Sequence, residues 1–446
     1  MSGGAGHRVH GMGLALEAPT WPVITRDEAA AVLRHFPTAG RLIDLRWHSP
    51  RPFSAATLLD TTNGAFVLKR HHHTLRDAAG LAQEHAFIAH LRANGLSVPE
   101  IMTASDGSGT VAKGDWTYEL HRQAPGHDLY RDAPSWTPFA SHGHAHAAGA
   151  ALARLHLAAQ GFDAPARPPQ PLVGSFGIMT APDPVAGAAS YVAARPALAA
   201  FLADRPWQHD LAHLFATQRE GLPARLADQP PLWTHNDWHP SNLLWSDQGE
   251  VATVFDFGLA DRTSAVHDLA TAIERCAIRW LDLARPTPLS NHHQVSPPFR
   301  HPVSPPGRHP APPLLRHPVP PLVRHPGLDP GSSFLIRPSE DKATNDEGRH
   351  DTATDAPTIA DPASALALIA GYRRMRPLTP ADIATVVHLL PLVHVEFALS
   401  EIDYFAGVLG DKDQAAQAWD GYLIGHAQWF RSDDGRAFLA HLLATS

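Results

Sequence analysis

The chain has 446 residues, 44% of them hydrophobic and 18% charged, enough for two ordinary domains or for one two-lobed enzyme with additions. A formal net charge of -8 argues against nucleic acid as the main partner, and a single cysteine, Cys276, excludes an internal disulfide framework and fits a reducing cytoplasm. No uncharged apolar run reaches the roughly eighteen residues of a membrane span, so no membrane partner is expected.

Residues 1–24 read as a flexible N-terminus without the charged and apolar regions of a signal peptide, and Met12 is a second plausible start after the structureless, Gly-rich Met1–Gly11. Arg26–Arg34 has the pattern of a short amphipathic helix with acidic residues in its first turn. Three strands are predicted next, at Arg41–Arg46, Ser54–Leu59 and Phe66–Arg70. Thr61-Thr62-Asn63-Gly64 supplies a hairpin turn before the third. Asp77–Asn94 reads as a long helix stopped by Gly95, and Val111–Ala112 with Trp116–Leu120 as two further antiparallel strands. The first part, 25–120, is therefore a small sheet with one long helix.

After Gly126 the pattern turns helical. His144–Ala158, Val185–Ala203 and His209–Ala227 are helical stretches, and Thr234–Ala260 holds a predicted hairpin of Leu243–Trp245 and Val251–Phe255. Further helices are expected at Ala265–Leu283, Ala363–Arg373, Pro380–Leu409 and Gln414–Phe430. Residues 286–357 break this pattern. The triplet Arg-His-Pro recurs at a step of eight, at Arg300, Arg308, Arg316 and Arg324, and sixteen of the 42 prolines fall between Pro286 and Pro338. Proline at this density removes backbone donors, so a disordered or polyproline-like insertion is predicted. It could dock a Pro-recognising protein partner; an in-frame repeat tolerated in a surface loop is the favoured reading.

The chemistry concentrates in His235-Asn236-Asp237-Trp238-His239-Pro240-Ser241-Asn242, followed by Asp256-Phe257-Gly258. A loop between short strands would present the Asp237 carboxylate to an acceptor hydroxyl. Asn242, five residues on, would offer a neutral oxygen to Mg²⁺, and the hairpin would return Asp256 to the same ion. Upstream, Lys69 lies in the third strand and Glu84 in the long helix. A lysine inside an apolar strand needs a partner, and Glu84 is the expected one.

These motifs resemble the aminoglycoside phosphotransferase/choline kinase-like family, the phosphotransferase enzyme family of the protein-kinase-like superfamily. The resemblance rests on His235 to Asn242, Asp256 to Gly258, Asp268 in His-Asp-Leu-Ala, and Gly-Ala-Ala-Leu-Ala-Arg-Leu-His ending at His156, and runs from about Thr25 to Leu442 outside the insertion. It implies an α+β, bilobal kinase-like fold: a nucleotide-binding N-lobe of antiparallel sheet over 25–120, then a mainly helical C-lobe. That C-lobe would divide into 121–285, with the catalytic loop, and 358–446, with the acceptor site. It further implies a cytoplasmic enzyme using ATP (or GTP) and Mg²⁺, with an alcohol group as acceptor. Carried over by position, Lys69 would bind phosphates, Glu84 would orient Lys69, Asp237 would be the base, Asn242 and Asp256 metal ligands, and Asp268 a brace.

No G-x-G-x-x-G precedes Lys69; the corresponding turn is Trp47 to Phe53. Too little chain separates Asp256-Phe257-Gly258 from Asp268 for an activation segment, so a small molecule is expected as acceptor. His235 belongs to the catalytic loop, as an acid–base group or as a hydrogen-bonded brace, the brace being favoured. His71–His73 and His142, His144 and His146 lack carboxylate or cysteine partners in sequence and are not read as a metal site. For the acceptor, Glu396, Ser400 and Asp403 fall at i, i+4, i+7 on one predicted helix face, and the helix from Ala265 adds Glu274 and Arg275. They either line an acidic groove for an amine-bearing acceptor or form a solvated face. Trp238 is expected to stack on the acceptor or pack locally. The rival to a kinase is a non-catalytic nucleotide-binding pseudoenzyme that docks through the insertion; the intact set Lys69, Asp237, Asn242 and Asp256 speaks against it.

Overall fold

The computed structural model describes residues 9–10, 16–218, 220–280 and 359–445. The chain divides into a larger unit, 1–286 with 357–446, and a smaller one, 287–356. The predicted insertion at 286–357, the expected end of the helix from Ala265 and any partner function of the repeat lie outside the described residues.

The larger unit begins with a two-residue ladder in which Val9–His10 pairs with Leu16–Glu17, where the sequence predicts a structureless start. Helix α1 (Arg26–Leu33) follows, closed by a reciprocal capping box between Thr25 and Glu28. Five strands then form one antiparallel sheet: β1 (Leu42–His48), β2 (Ala55–Thr61), β3 (Gly64–His72), β4 (Thr110–Lys113) and β5 (Trp116–Arg122), in the order β1-β2-β3-β5-β4. All five predicted strands are present, each a little longer than expected. The β2–β3 turn is the expected Thr61-Thr62-Asn63-Gly64: Thr61 pairs with Gly64, whose φ of 123° is the reason a glycine stands there. Helix α2 (Ala78–Ala93) is capped by Asp77 and stops at Gly95, whose φ is 83°.

The C-lobe is mainly helical. Helix α3 (His142–Ala158) packs along a later helix, α10 (Pro362–Met375), through two glycines; a β-carbon at Gly149 would strike the carbonyl of Leu368, and one at Gly371 that of His146. Three predicted helices are broken, each at a proline or glycine. Val185–Ala203 divides into α5 (Pro184–Ala193) and α6 (Pro196–Leu202) after the short α4 (Gly177–Thr180). His209–Ala227 divides into α7 (Trp207–Gln218) and α8 (Leu222–Ala227) at Gly221, with φ 70°. Pro380–Leu409 divides into α11 (Pro380–Leu389) and α12 (Val395–Asp403) around Pro391, then winds as a π-helix over Tyr404–Leu409.

Around the loop 235–242, β6 (Pro231–Thr234) pairs with β9 (Asp261–Ser264), and β7 (Leu243–Trp245) with β8 (Val251–Val254). The second ladder is the expected hairpin; the first was not anticipated, because Pro231 and a four-residue length hide it. Helix α9 (Ala265–Ala277) ends six residues short of the expected Leu283, where the backbone of Ile278 turns extended and bridges Ala360, just ahead of α10. Among the described residues no single helix is long and apolar enough to cross a membrane. The architecture is α+β and bilobal, with a core of its own under the sheet and a larger one in the helical lobe.

Candidate active site

The loop between β6 and β7 is built around one buried carboxylate. Asp268, on the first turn of α9, accepts from the backbone N–H of His235 (2.9 Å) and of Asn236 (2.8 Å). The His156 Nε2–H donates to the same carboxylate at 3.0 Å, and the His156 Nδ1 accepts from the Tyr372 hydroxyl at 2.7 Å. Arg376 donates to that hydroxyl in turn, at 2.7 Å. Burial alone would raise the Asp268 carboxyl, but the His156 hydrogen bond, the imidazoles and the His235 N–H hold it below the ordinary range. With these clamps Asn236 sits at φ 59°, a left-handed position tolerated by asparagine. Asp268 thus fixes the backbone at residues 235 and 236.

His235 is fully buried; its Nε2–H donates to the Phe255 carbonyl at 3.0 Å and its Nδ1 accepts from the Asp237 N–H at 3.2 Å. With both nitrogens occupied and burial lowering its pKa, it braces the loop and has no free position for proton transfer. Of its two expected roles, this arrangement fits the favoured one, the brace, and leaves no place for the acid–base one. Asp237 is partly exposed. Its Oδ2 accepts from the Asn242 amide at 3.0 Å, and its Oδ1 pairs with the buried Arg275 of α9. His239 Nε2 lies 3.5 Å from the same Oδ1.

Across the cleft, the Lys69 ammonium on β3 reaches Asp256 Oδ1 at 3.2 Å. Asp256 also sits in the left-handed region, at φ 61°. Burial pushes its carboxyl up and Lys69 pulls it down further, to about 2; Lys69 itself is held above the ordinary lysine value by Asp256, Glu119 and Glu84 against the effect of burial. The expected Lys69–Glu84 ion pair is not formed. Glu84 is buried, with Arg167 Nη1 at 3.9 Å, and acts on Lys69 only through its field. The reason is competition among buried cations: Arg167 claims Glu84, while Glu119, opposite Lys69 in the β3–β5 register, supplies a second anion.

Two cavities meet at Arg51, Ser54, Asn242 and Asp256. One extends under the sheet past Val67, Lys69 and His121. The other runs past Asp237 to Trp136, Phe397, Glu401, Tyr404 and Tyr422. Arg51 lies in the turn that replaces a glycine-rich loop, held by the Ala133 carbonyl (3.0 Å) and Ser135 Oγ (3.1 Å). The residues present suit a hard divalent cation. Among the described residues Asp256 Oδ2 and Asn242 Oδ1 accept no hydrogen bond, and both side chains border the two cavities.

The expected acceptor residues are placed elsewhere. Glu396 caps α4, accepting from the N–H groups of Gly177 (3.0 Å) and Ile178 (2.7 Å) and from the Ser175 hydroxyl (2.5 Å). Ser400 Oγ accepts from Leu172 N–H at 2.6 Å, and Asp403 faces Arg195 at 3.8 Å. The one-face spacing holds, but that face is buried against α4 to α6. The cleft receives the opposite face, Phe397 and Glu401, with Tyr404 beyond it. Trp238 is fully buried in the core, edge-on to His235, and Glu274 lies behind the cleft against His394 and His426. Sequence reasoning missed Arg51 and Glu401. It did single out Arg275, about two turns beyond Asp268 on the same helix, but as part of an acceptor groove with Glu274 and not as the partner of Asp237.

The profile of the family described as "Phosphotransferase enzyme family" matches residues 53–291, more than half of the chain. The chain belongs to the phosphotransferase enzyme family. None of the curated proteins compared matches it. Similar solved structures include an aminoglycoside phosphotransferase from Alicyclobacillus acidocaldarius, 15% identical over 96% of each chain with a TM-score of 0.45. A microcompartment-associated aminopropanol kinase is 17% identical over 92% of this chain and 99% of its own, TM-score 0.48. Amicoumacin kinase, in complex with AMP-PNP, Ca²⁺ and Ami, is 13% identical over 89% and 96%, TM-score 0.46.

Proposed function

We propose that this phosphotransferase moves the γ-phosphate of ATP or GTP to a hydroxyl of a small molecule, with Mg²⁺ as the metal. The observation that carries the reading is the convergence of Lys69, Asp256, Asn242 and Asp237 on one cleft, with Lys69 and Asp256 in contact at 3.2 Å. Phosphoryl transfer asks the protein mainly for positioning and charge neutralisation. Asn242 and Asp256 would hold the Mg²⁺, which when bound screens the phosphate charge. Lys69 and Arg51 would bind phosphate oxygens from the sheet and from the turn above the cleft. Asp237 would orient the acceptor hydroxyl and take its proton, with Arg275 and the Asn242 amide fixing the carboxylate. The 25–120 lobe is then the nucleotide side, and the acceptor side is formed by residues of 121–285 and 358–446.

The acceptor end of the cleft has aromatic walls, Trp136, Phe397, Tyr404 and Tyr422, and the buried acid Glu401. Such a lining supports an acceptor with an apolar body, and Glu401 supports an amine on it. The test is nucleotide turnover with Mg²⁺ across amino alcohols, hydroxy amino acids, sugars and aminoglycosides, with Asp237→Asn as control. Turnover that one acceptor class raises and the substitution abolishes supports the kinase. Nucleotide binding with no transfer to any acceptor, equal in both proteins, sinks it.

A further inference from the structure

Among the described residues two groups of ligand-type side chains gather away from the phosphate chemistry: His85, Glu119 and His121 in the N-lobe, and Glu274, His394 and His426 in the C-lobe. They differ in how far they are satisfied. In the first group the Nε2 atoms of His85 (2.7 Å) and His121 (2.8 Å), with that of His71 (3.0 Å), all reach the Glu119 carboxylate, a complete hydrogen-bonded network. The second group is looser and more deeply buried.

All three of its members are at least 95% buried, yet only one short contact joins them, His426 Nε2 to Glu274 Oε1 at 3.1 Å. His394 Nδ1 stops 3.6 Å from that same oxygen, and His394 Nε2 stops 3.9 Å from Glu401 Oε2. His394 Nε2 and both Glu401 oxygens are buried without a hydrogen-bond partner. The region is also short of positive charge. Asp237, Glu274 and Glu401 face one guanidinium, Arg275, which is committed to Asp237 and lies 4.0 Å from Glu274. Buried carboxylates without cations are costly, and orphaned polar atoms call for a missing partner.

We propose that Glu274, His394 and His426 bind a divalent ion of the zinc class, behind the acceptor end of the cleft. Two imidazole nitrogens and one carboxylate oxygen, with ligand atoms all within 4.8 Å of one another, leave a fourth position for solvent. His394 would bind through Nδ1, and its Nε2–H would then donate to Glu401, the outer-shell carboxylate that fixes a metal-bound imidazole. Trp280, ring to ring with His426 at 4.1 Å, closes the outer side. The ion would anchor Glu274 and so steady its neighbour Arg275 on Asp237.

The test uses the full chain, stripped with a chelator, exposed to Zn²⁺ without nucleotide and dialysed, alongside Glu274→Gln, His426→Gln and His121→Gln. The expected result is about one Zn²⁺ fewer per chain in the first two variants only, with a rise in melting temperature on Zn²⁺ addition that those two lose. Equal metal content in all four proteins would place any bound ion on other histidines and overturn the proposal. Should the two variants fail to fold, the wild type alone decides. Four-coordinate Co²⁺ bands and a mixed imidazole–carboxylate X-ray absorption shell support the site, whereas no uptake or an all-imidazole shell overturns it.

Discussion

Two regions hold an acid that the sequence singles out, Asp237 in the loop 235–242 and Glu396 in helix α12, and they put it to opposite uses. In the loop the carboxylate proposed for the chemistry, Asp237, is partly exposed and the backbone before it is clamped by Asp268. In α12 the carboxylate of Glu396 is itself the clamp, accepting four hydrogen bonds, from the Ser175 hydroxyl and from the N–H groups of Gly177, Ile178 and Met179 in α4. The difference lies in what surrounds each acid. A carboxylate whose oxygens are consumed by backbone donors holds structure, and one supported from behind is left free for chemistry.

The sharpest way to break this comparison is Asp237→Asn. It keeps the shape and should leave folding and nucleotide affinity nearly unchanged while lowering turnover by about 10²–10⁴, the usual worth of a positioned acid–base group. Turnover within a few-fold of wild type would remove Asp237 from the chemistry. Next comes Asp268→Ala, which deletes a fully buried acceptor of two backbone N–H groups and the His156 imidazole. A loss of about 3–5 kcal/mol in unfolding free energy is expected, since the donors lose their partner inside the core. The pH dependence has a definite sign. The folded carboxyl sits below its unfolded value of about 3.9, so its contribution is full above that value and fades as pH falls through the lower folded one. Urea midpoints measured from pH 6 down to 3 should drop more for wild type than for Asp268→Ala.

How much of this was legible follows from the same contrast. The loop could be read because its roles are local: five residues separate Asp237 from Asn242, and a hairpin returns Asp256, so spacing alone implies proximity. The sheet was legible through alternation and its turn residues. The acceptor wall was not. Helical spacing said that Glu396, Ser400 and Asp403 share a face, but which face meets the cleft depends on α4 to α6 packing against α12, contacts separated by some two hundred residues in sequence. Trp238 failed for a related reason, its ring being consumed by the core. The Lys69 partner failed because the choice among Glu84, Glu119 and Asp256 is a three-dimensional competition.

The two faces of α12 can be set against each other directly. Glu396→Gln should cost about 2 kcal/mol of stability, the scale of charge-assisted hydrogen bonds, while leaving the acceptor KM unchanged. Glu401→Gln, compared with wild type in chelator-treated protein, should do the reverse for an amine-bearing acceptor, raising KM about tenfold with stability preserved, because without a bound ion at His394 its carboxylate has no hydrogen bond to lose. Matching thermal unfolding and acceptor KM for both variants tests the pair. If both changed KM alone, the assignment of faces would be wrong.

The smallest effect belongs to Ser400→Ala, and it probes how the structural face reaches the chemistry. Ser400 Oγ holds the N–H of Leu172, a residue at φ 55° that borders the cleft and whose carbonyl accepts from Arg76. A leucine in that conformation is strained and persists only while its surroundings fix it. Removing one of its two backbone anchors should cost about 1 kcal/mol and loosen one cleft residue, changing acceptor KM by no more than about twofold. A larger change in KM than in stability would mean that the strain at Leu172 is part of the acceptor site. The structural face of α12 would then act on the acceptor through the backbone it holds.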